Sequence, residues 1–271
     1  MCVILLFGSC YGSVGQNLLE ETSLWSKPES RSDGRYHSKI FVYEPVCATS
    51  QMPAIIVLPG GSYTYLAINS EGHDVAAYFA SKGFVAIVLR YRIGFFGARY
   101  PQHLEDYRKT MDYIRANAPR LGIDTSRIGV VGFSAGGHLA GCAAMLETGR
   151  YRPDFAGMIY PVVTMREPYV HHPSKKHLLR GRDFLEDSLS LELHVNKDIS
   201  PIFLLHCKDD PIVMVQGSEN FASELERKEV NCRVEIHDTG RHGFGVRAPK
   251  GSGAVLWQER FIEWLHGSVF R

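Results

Sequence analysis

The sequence predicts an α/β fold with a doubly wound, mostly parallel sheet and helices on both of its faces. Short, continuous apolar runs recur along the chain, which is typical of buried strands. Helical patterns separate these runs, and Gly or Pro residues follow most of them. The length of 271 residues, 45% of them hydrophobic, suits one large domain with a sizeable core.

The strands and helices are predicted from local periodicity. Residues 39–44 alternate as a half-exposed strand does, whereas 54–58 and 84–89 are continuous apolar runs. In the segment 102–117, apolar side chains recur at helical spacing. The remaining predicted strands are 128–131, 155–160, 202–206 and 233–237. The other predicted helices are 71–81, 215–227 and 255–265. A further helix runs from the serine motif described below to Leu146.

The domain boundaries follow from changes in composition. Residues 1–24 are expected to be an N-terminal tail or a truncated export signal, and 25–271 a single domain. The run Cys2–Phe7 is apolar and Ser13-Val14-Gly15 resembles a signal-peptidase site, but a basic segment is missing. A lipoprotein signal at Cys10 is an alternative. An export signal would place the protein outside the cytoplasm, secreted or periplasmic, and a plain tail would leave it cytoplasmic.

Residues 162–198 differ from the rest because they are polar, rich in His, Lys and Arg, and only weakly periodic. A plain loop of this length is uncommon in a compact domain and is usually functional. We therefore expect an insertion that roofs the site.

The charge balance excludes several classes of function. Thirty basic and 29 acidic residues give a net charge of +1, and without a basic stripe nucleic-acid binding has no electrostatic support. No apolar run reaches the length of a membrane span. The four cysteines outside the tail are widely spaced, which excludes a zinc ribbon and does not require a disulfide. The composition does not indicate an oligomeric state.

The most informative motif is Gly132-Phe133-Ser134-Ala135-Gly136, which matches G-x-S-x-G. It follows a predicted buried strand and begins a small-residue helix, the context of a nucleophile elbow. The flanking glycines permit the sharp turn that exposes the serine hydroxyl. Ser134 is therefore the candidate nucleophile, although an ordinary strand-to-helix turn has the same pattern.

A serine nucleophile needs a base and a group that orients the base. In this architecture the acid and then the histidine follow the serine along the chain. Asp210 comes just after one predicted strand, and His242 lies in the glycine-rich loop after the next. Asp209 competes for the acid role, but Pro211 fixes the turn behind Asp210, which leaves Asp209 as a surface or turn-capping carboxylate.

Backbone amides near the serine would stabilise the charge on a tetrahedral intermediate. Ala135 follows the nucleophile directly, and Gly60 and Gly61 follow the strand 54–58. These three residues are the predicted oxyanion hole.

The aromatic and histidine residues near these motifs call for separate interpretations. Tyr63, Tyr65 and Tyr160 are candidates for lining the substrate pocket, since tyrosine combines an apolar face with a polar tip. His138 is expected to pack or to form a hydrogen bond in the helix. No metal site is predicted, because His171, His172 and His177 lack a carboxylate or cysteine at ligand spacing.

Together these residues resemble the α/β-hydrolase superfamily, most closely its acetyl-xylan-esterase-like and feruloyl-esterase-like branch, which is related to hormone-sensitive-lipase-type esterases. The resemblance runs from about residue 39 to 265. Many relatives carry histidine at the position of Pro59 and a third glycine at Ser62, although Ser62 retains a backbone amide. The segments that carry the resemblance are 59–63, 71–72, 90–92, 127–140, 160–162, 209–210, 241–245 and 257–265.

The resemblance implies a serine carboxylester hydrolase that needs no cofactor and releases short acyl groups, acetyl first among them, from plant polysaccharide or oligosaccharide esters. It also implies Ser134 as nucleophile, His242 as base and Asp210 as acid. Two alternatives remain: an amidase, arylformamidase or peptidase with the same triad, and a non-catalytic binding protein on the same fold.

Overall fold

A computed structural model describes residues 18–25 and 37–270. The described residues form an eight-stranded sheet in the order β1-β2-β4-β3-β5-β6-β7-β8. The strands are β1 (Leu18–Ser23), β2 (Lys39–Tyr43), β3 (Met52–Leu58), β4 (Val85–Arg90), β5 (Ile123–Phe133), β6 (Ala156–Ile159), β7 (Ile202–Cys207) and β8 (Cys232–His237). From β4 to β8 all neighbouring strands are parallel, whereas β2 runs antiparallel to both β1 and β4.

Helices cover both faces of this sheet, so the predicted fold class is confirmed. They are α1 (Asp74–Ser81), α2 (Gln102–Leu121), α3 (Ala135–Leu146), α4 (His172–Leu179), α5 (Val215–Arg227) and α6 (Trp257–Trp264). Buried side chains of α2, α3, α4 and α5 form the core on one face, and those of α1 and α6 form the core on the other. Strand β3 alternates between the two, since Ile56 points to the first core and Ile55 to the second.

The first strand differs from the sequence prediction. Leu18–Ser23 pairs with β2 at the edge of the sheet, although it lies in the segment 1–24 that was assigned to the tail. Its side chains are largely exposed, so the apolar alternation of a half-buried strand is missing. Backbone pairing and the ion pairs Glu20–Arg120 and Glu21–Lys39 hold it in place. The predicted signal features at residues 2–15 lie outside the described residues.

The strand order reverses between β3 and β5, and this places the site. The chain passes from β3 to β4 on one side and returns to β5 on the other, with Leu58 opposite Gly132 in the parallel pair. Crevices at such switch points, beyond the carboxyl ends of the strands, are where open α/β sheets bind ligands. The loops after β3 and β5 therefore meet at one point.

No helix within residues 18–25 and 37–270 combines the length and apolarity needed to cross a bilayer.

The junction between β5 and α3 is packed too tightly for a side chain at Gly132. A Cβ there would lie 2.1 Å from the carbonyl oxygen of Gly136, a backbone atom that cannot rotate away. Gly132→Ala is therefore expected to lower the free energy of unfolding by about 3 kcal/mol, as overpacking does. Urea denaturation measures the change. Gly267→Ala is the matched control, because a Cβ at Gly267 meets no atom within 4 Å; equal stability of the two variants would contradict the prediction.

Candidate active site

Ser134 occupies the turn between β5 and α3 in a backbone conformation that few non-glycine residues adopt. Its φ is 53° and its ψ is −117°. Such strain costs on the order of 1–3 kcal/mol and persists only where surrounding contacts enforce it. Here the Ser134 amide donates to the Ile159 carbonyl at 3.0 Å, and the Val162 amide donates to the Ser134 carbonyl at 3.1 Å. The turn is a nucleophile elbow in geometry as well as in sequence.

His242 joins Ser134 to Asp210 through its two ring nitrogens. Nε2 lies 3.0 Å from Ser134 Oγ, and Nδ1 lies 2.6 Å from Asp210 Oδ2. Because an ionised carboxylate only accepts hydrogen bonds, Nδ1 carries the proton and Nε2 of the neutral ring accepts from the serine hydroxyl. The structure thus brings together the three predicted triad residues, and the arrangement can transfer the serine proton to the imidazole.

Asp210 is held by four hydrogen bonds. Its Oδ1 accepts from the Ile212 amide at 2.8 Å and the Val213 amide at 3.0 Å. Its Oδ2 accepts from His242 and also from His206 Nε2 at 3.0 Å. Burial alone would raise the pKa of Asp210, but the hydrogen bonds from His206 and His242 hold it below its ordinary value. Asp210 therefore stays ionised and can stabilise an imidazolium at His242.

His206 is a site residue that was not assigned from the sequence. It is fully buried, and its Nδ1 lies 2.7 Å from Ser218 Oγ in α5. With Nε2 donating to Asp210, Nδ1 accepts from the serine hydroxyl. Its position four residues before Asp210, at the end of β7, is the only signal of this contact in the sequence.

Asp209 has the turn-capping role that was expected if Asp210 is the acid. Its Oδ1 accepts from the Gly240 amide at 2.9 Å and the Arg241 amide at 2.8 Å. Those residues directly precede His242. Asp209 therefore fixes the loop that carries the base, without contacting the imidazole.

The prediction that the Gly60 amide contributes to the oxyanion hole is wrong. That amide donates to Glu71 Oε2 at 2.7 Å, so it is not available to a substrate. The Gly61 and Ser62 amides donate to no protein group among the described residues, and the Ala135 amide lies in the first turn of α3. Gly61, Ser62 and Ala135 are therefore the candidate donors.

Two of the three tyrosines assigned to the substrate pocket are misassigned. Tyr63 is fully buried and its hydroxyl donates to His138 Nδ1 at 2.8 Å. Tyr160 is also fully buried and its hydroxyl donates to Glu71 Oε1 at 2.9 Å. Both rings pack in the interior because their hydroxyls find buried partners. Tyr65 is 61% exposed and remains a candidate for substrate contact.

The segment 162–198 packs beside the site as an ordered insertion. It contains α4 and three short 3-10 turns. The Leu189 carbonyl accepts from His138 Nε2 at 2.8 Å, and His177 Nδ1 lies 2.9 Å from Thr64 Oγ1. Burial lowers the pKa of His171 below its ordinary value. The insertion thus adjoins both the loop after β3 and helix α3.

His171 and His172, for which the sequence predicts no metal, contact other side chains. His171 Nδ1 lies 2.8 Å from Ser174 Oγ, and His172 lies 3.6 Å from Glu167. Within residues 18–25 and 37–270, no group of three or more His, Cys, Asp or Glu side chains is placed to hold a metal ion.

The fold, the elbow and the order of the three polar residues define the α/β-hydrolase class of protein. The BD-FAE family model matches residues 40–225, more than half of the chain, and the chain belongs to that family. The family resemblance inferred from the motifs is confirmed.

The individual relatives include proteins named for xylan chemistry. Endo-1,4-beta-xylanase B of Butyrivibrio fibrisolvens is 32% identical over 208 residues, which are 71% of this chain and 32% of the relative. An acetylxylan esterase of Xylanibacter ruminicola is 27% identical over 209 residues, 74% of this chain and 43% of the relative. The chain thus spans less than half the length of these curated relatives.

A solved structure matches almost the whole length. The acetyl ester-xyloside bifunctional hydrolase of Caldicellulosiruptor lactoaceticus superposes with a TM-score of 0.80 at 30% identity, covering 92% of this chain and 96% of that one. Esterase Est2 of Thermogutta terrifontis superposes with a TM-score of 0.74 at 20% identity, covering 94% of this chain and 91% of that one, and supports the fold alone.

The two adjacent carboxylates are expected to respond differently to loss of charge. Asp210→Asn should lower kcat by about 10⁴-fold, because an amide favours the wrong imidazole tautomer at His242. Asp209→Asn keeps a carbonyl oxygen for the Gly240 and Arg241 amides and should stay within about 10-fold of the wild type. Steady-state hydrolysis of p-nitrophenyl acetate compares the two, with circular dichroism to verify folding. The reverse ranking would assign the acid to Asp209.

Proposed function

We propose that the protein is a serine carboxylester hydrolase that releases short acyl groups, acetyl in particular, from polysaccharide or oligosaccharide esters. The observation that carries this proposal is the continuous hydrogen-bonded path from Ser134 through His242 to Asp210, placed on a strained elbow. The names of the xylan-related relatives support the choice of substrate class.

The reaction would proceed through an acyl-enzyme. Ser134 Oγ attacks the ester carbonyl while His242 Nε2 takes its proton. The negative charge that develops on the carbonyl oxygen is stabilised by the amides of Gly61, Ser62 and Ala135. The imidazolium then protonates the departing alcohol, and water deprotonated by His242 releases the acid and restores Ser134.

The substrate would approach across the exposed loop after β3. Tyr65 is placed there because its amide donates to the Gly61 carbonyl at 3.1 Å, which links it directly to a candidate oxyanion donor. An exposed aromatic ring offers an apolar face to a sugar and a polar edge to water. The polysaccharide chain, rather than the acyl group, is therefore the part expected to contact Tyr65.

Ser134→Ala is the direct test of the mechanism. The variant is expected to hydrolyse p-nitrophenyl acetate only slightly faster than water does. The small rate enhancement that remains comes from substrate binding. A fluorophosphonate probe should label the wild type at Ser134 and leave the variant unlabelled. Retention of wild-type activity by Ser134→Ala would contradict the mechanism. Faster cleavage of amides than of acetyl esters by the wild type would favour the amidase alternative.

Tyr65→Ala tests the substrate class. The variant is expected to raise KM for acetylated xylo-oligosaccharides about 10-fold, which corresponds to roughly one stacking contact, and to leave p-nitrophenyl acetate kinetics unchanged. Acetate release from acetylated xylan, compared with acetylated pectin, gives the readout. Tyr151→Ala is the control, since Tyr151 precedes β6 and so lies near the amino ends of the parallel strands, whereas Ser134 lies at their carboxyl ends. Equal effects of Tyr65→Ala on both kinds of substrate would contradict the assignment.

A further inference from the structure

Glu71 is a buried carboxylate next to the candidate site that the proposed reaction does not use. Only 3% of its surface is exposed, and no Lys or Arg pairs with it among the residues that the structure describes. Burying an ionised group without a countercharge is unfavourable, and burial raises the pKa of Glu71 above its ordinary value. Two hydrogen bonds, from the Gly60 amide and the Tyr160 hydroxyl, stabilise the carboxylate.

One of these hydrogen bonds fixes the loop after β3. Oε2 accepts from the Gly60 amide at 2.7 Å. The Gly60 backbone lies against the elbow, since a Cβ placed there would be 2.9 Å from Ser134 Cβ. The next two amides along the chain are the candidate oxyanion donors Gly61 and Ser62. The orientation of the Gly60 peptide therefore sets the starting direction of the segment that carries them.

The other hydrogen bond leads to the loop that carries the base. Oε1 accepts from the Tyr160 hydroxyl at 2.9 Å, and that hydroxyl accepts from the Gly245 amide at 2.9 Å. The centroids of the Tyr160 and His242 rings are 4.6 Å apart. The Gly245 backbone packs against the residue before Glu71, since a Cβ at Gly245 would lie 2.3 Å from the Ser70 carbonyl oxygen. The loop from His242 to Gly245 is thus anchored to the same carboxylate.

We infer that Glu71 is a positioning residue that ties the oxyanion loop to the loop of the catalytic base, through the Gly60 amide on one side and Tyr160 with Gly245 on the other. The inference rests on the proposed function, because it gives the two loops their roles. In consequence, one buried side chain positions both the oxyanion loop and the loop that carries His242. A loss of Glu71 should disturb the transition state more than the ground state.

The test compares four variants with p-nitrophenyl acetate. Glu71→Ala is expected to lower kcat about 100-fold with KM within about threefold of the wild type, the signature of a lost transition-state interaction. Glu71→Gln should recover to within about 10-fold, because its carbonyl can accept from Gly60 and its amide can donate to the Tyr160 oxygen. Tyr160→Phe, which keeps the ring against His242, should lower kcat about 10-fold. The double variant Glu71→Ala with Tyr160→Phe should be no slower than Glu71→Ala alone, since both act through one link.

Controls separate positioning from stability and from the proposed function. Asp106→Asn removes another buried carboxylate charge, at the network of Arg92, Trp25 and Ser38, and should lower the melting temperature while kcat is retained. A wild type without esterase activity would refute the proposed function. With an active wild type, the inference is overturned if Glu71→Ala keeps kcat within threefold, if Glu71→Gln is as slow as Glu71→Ala, or if the two single effects multiply in the double variant. If Glu71→Ala does not fold, unchanged kcat in Tyr160→Phe overturns it.

Discussion

The site depends on a close approach of two backbone segments, the turn at Ser134 and the loop that follows β3. A Cβ at Gly136 would lie 2.1 Å from the Leu58 carbonyl oxygen, and a Cβ at Gly60 would lie 2.7 Å from the Phe133 carbonyl oxygen. Backbone atoms cannot rotate away as a side chain can, so only glycine permits this packing. The approach is possible because β3 and β5 are adjacent parallel strands, whose carboxyl ends bring the turn at Ser134 and the loop after β3 together.

His242, the candidate base, is positioned beside Ser134 by hydrogen bonds. Asp210 and His242 follow the adjacent strands β7 and β8, so their loops emerge side by side. Asp209 accepts hydrogen bonds from the loop that carries His242, and His206 donates a further hydrogen bond to the Asp210 carboxylate. Each group that must hold its orientation has its hydrogen bonds satisfied before any substrate arrives. Such preorganisation is what makes electrostatic stabilisation effective in a transition state.

The chain belongs to the BD-FAE family, and two further surfaces lie close to its candidate triad. The insertion 162–198 contacts the loop after β3 through His177 and α3 through the Leu189 carbonyl. Tyr65 stands exposed on that same loop. The insertion and this loop therefore lie next to each other, with Tyr65 exposed on the loop.

The sequence by itself determined the fold class and most of the strands and helices, because those depend on local periodicity. It also pointed to the three candidate triad residues, through glycine at a sharp turn and through chain order, and the structure brings these residues together. It missed β1, whose exposed edge position leaves no apolar alternation. Only the tertiary structure decided that Tyr63 and Tyr160 are buried and that the Gly60 amide donates its hydrogen bond to Glu71. These contacts join residues far apart in the chain, and a buried hydrogen bond between distant polar groups produces no periodicity that a sequence pattern could reveal.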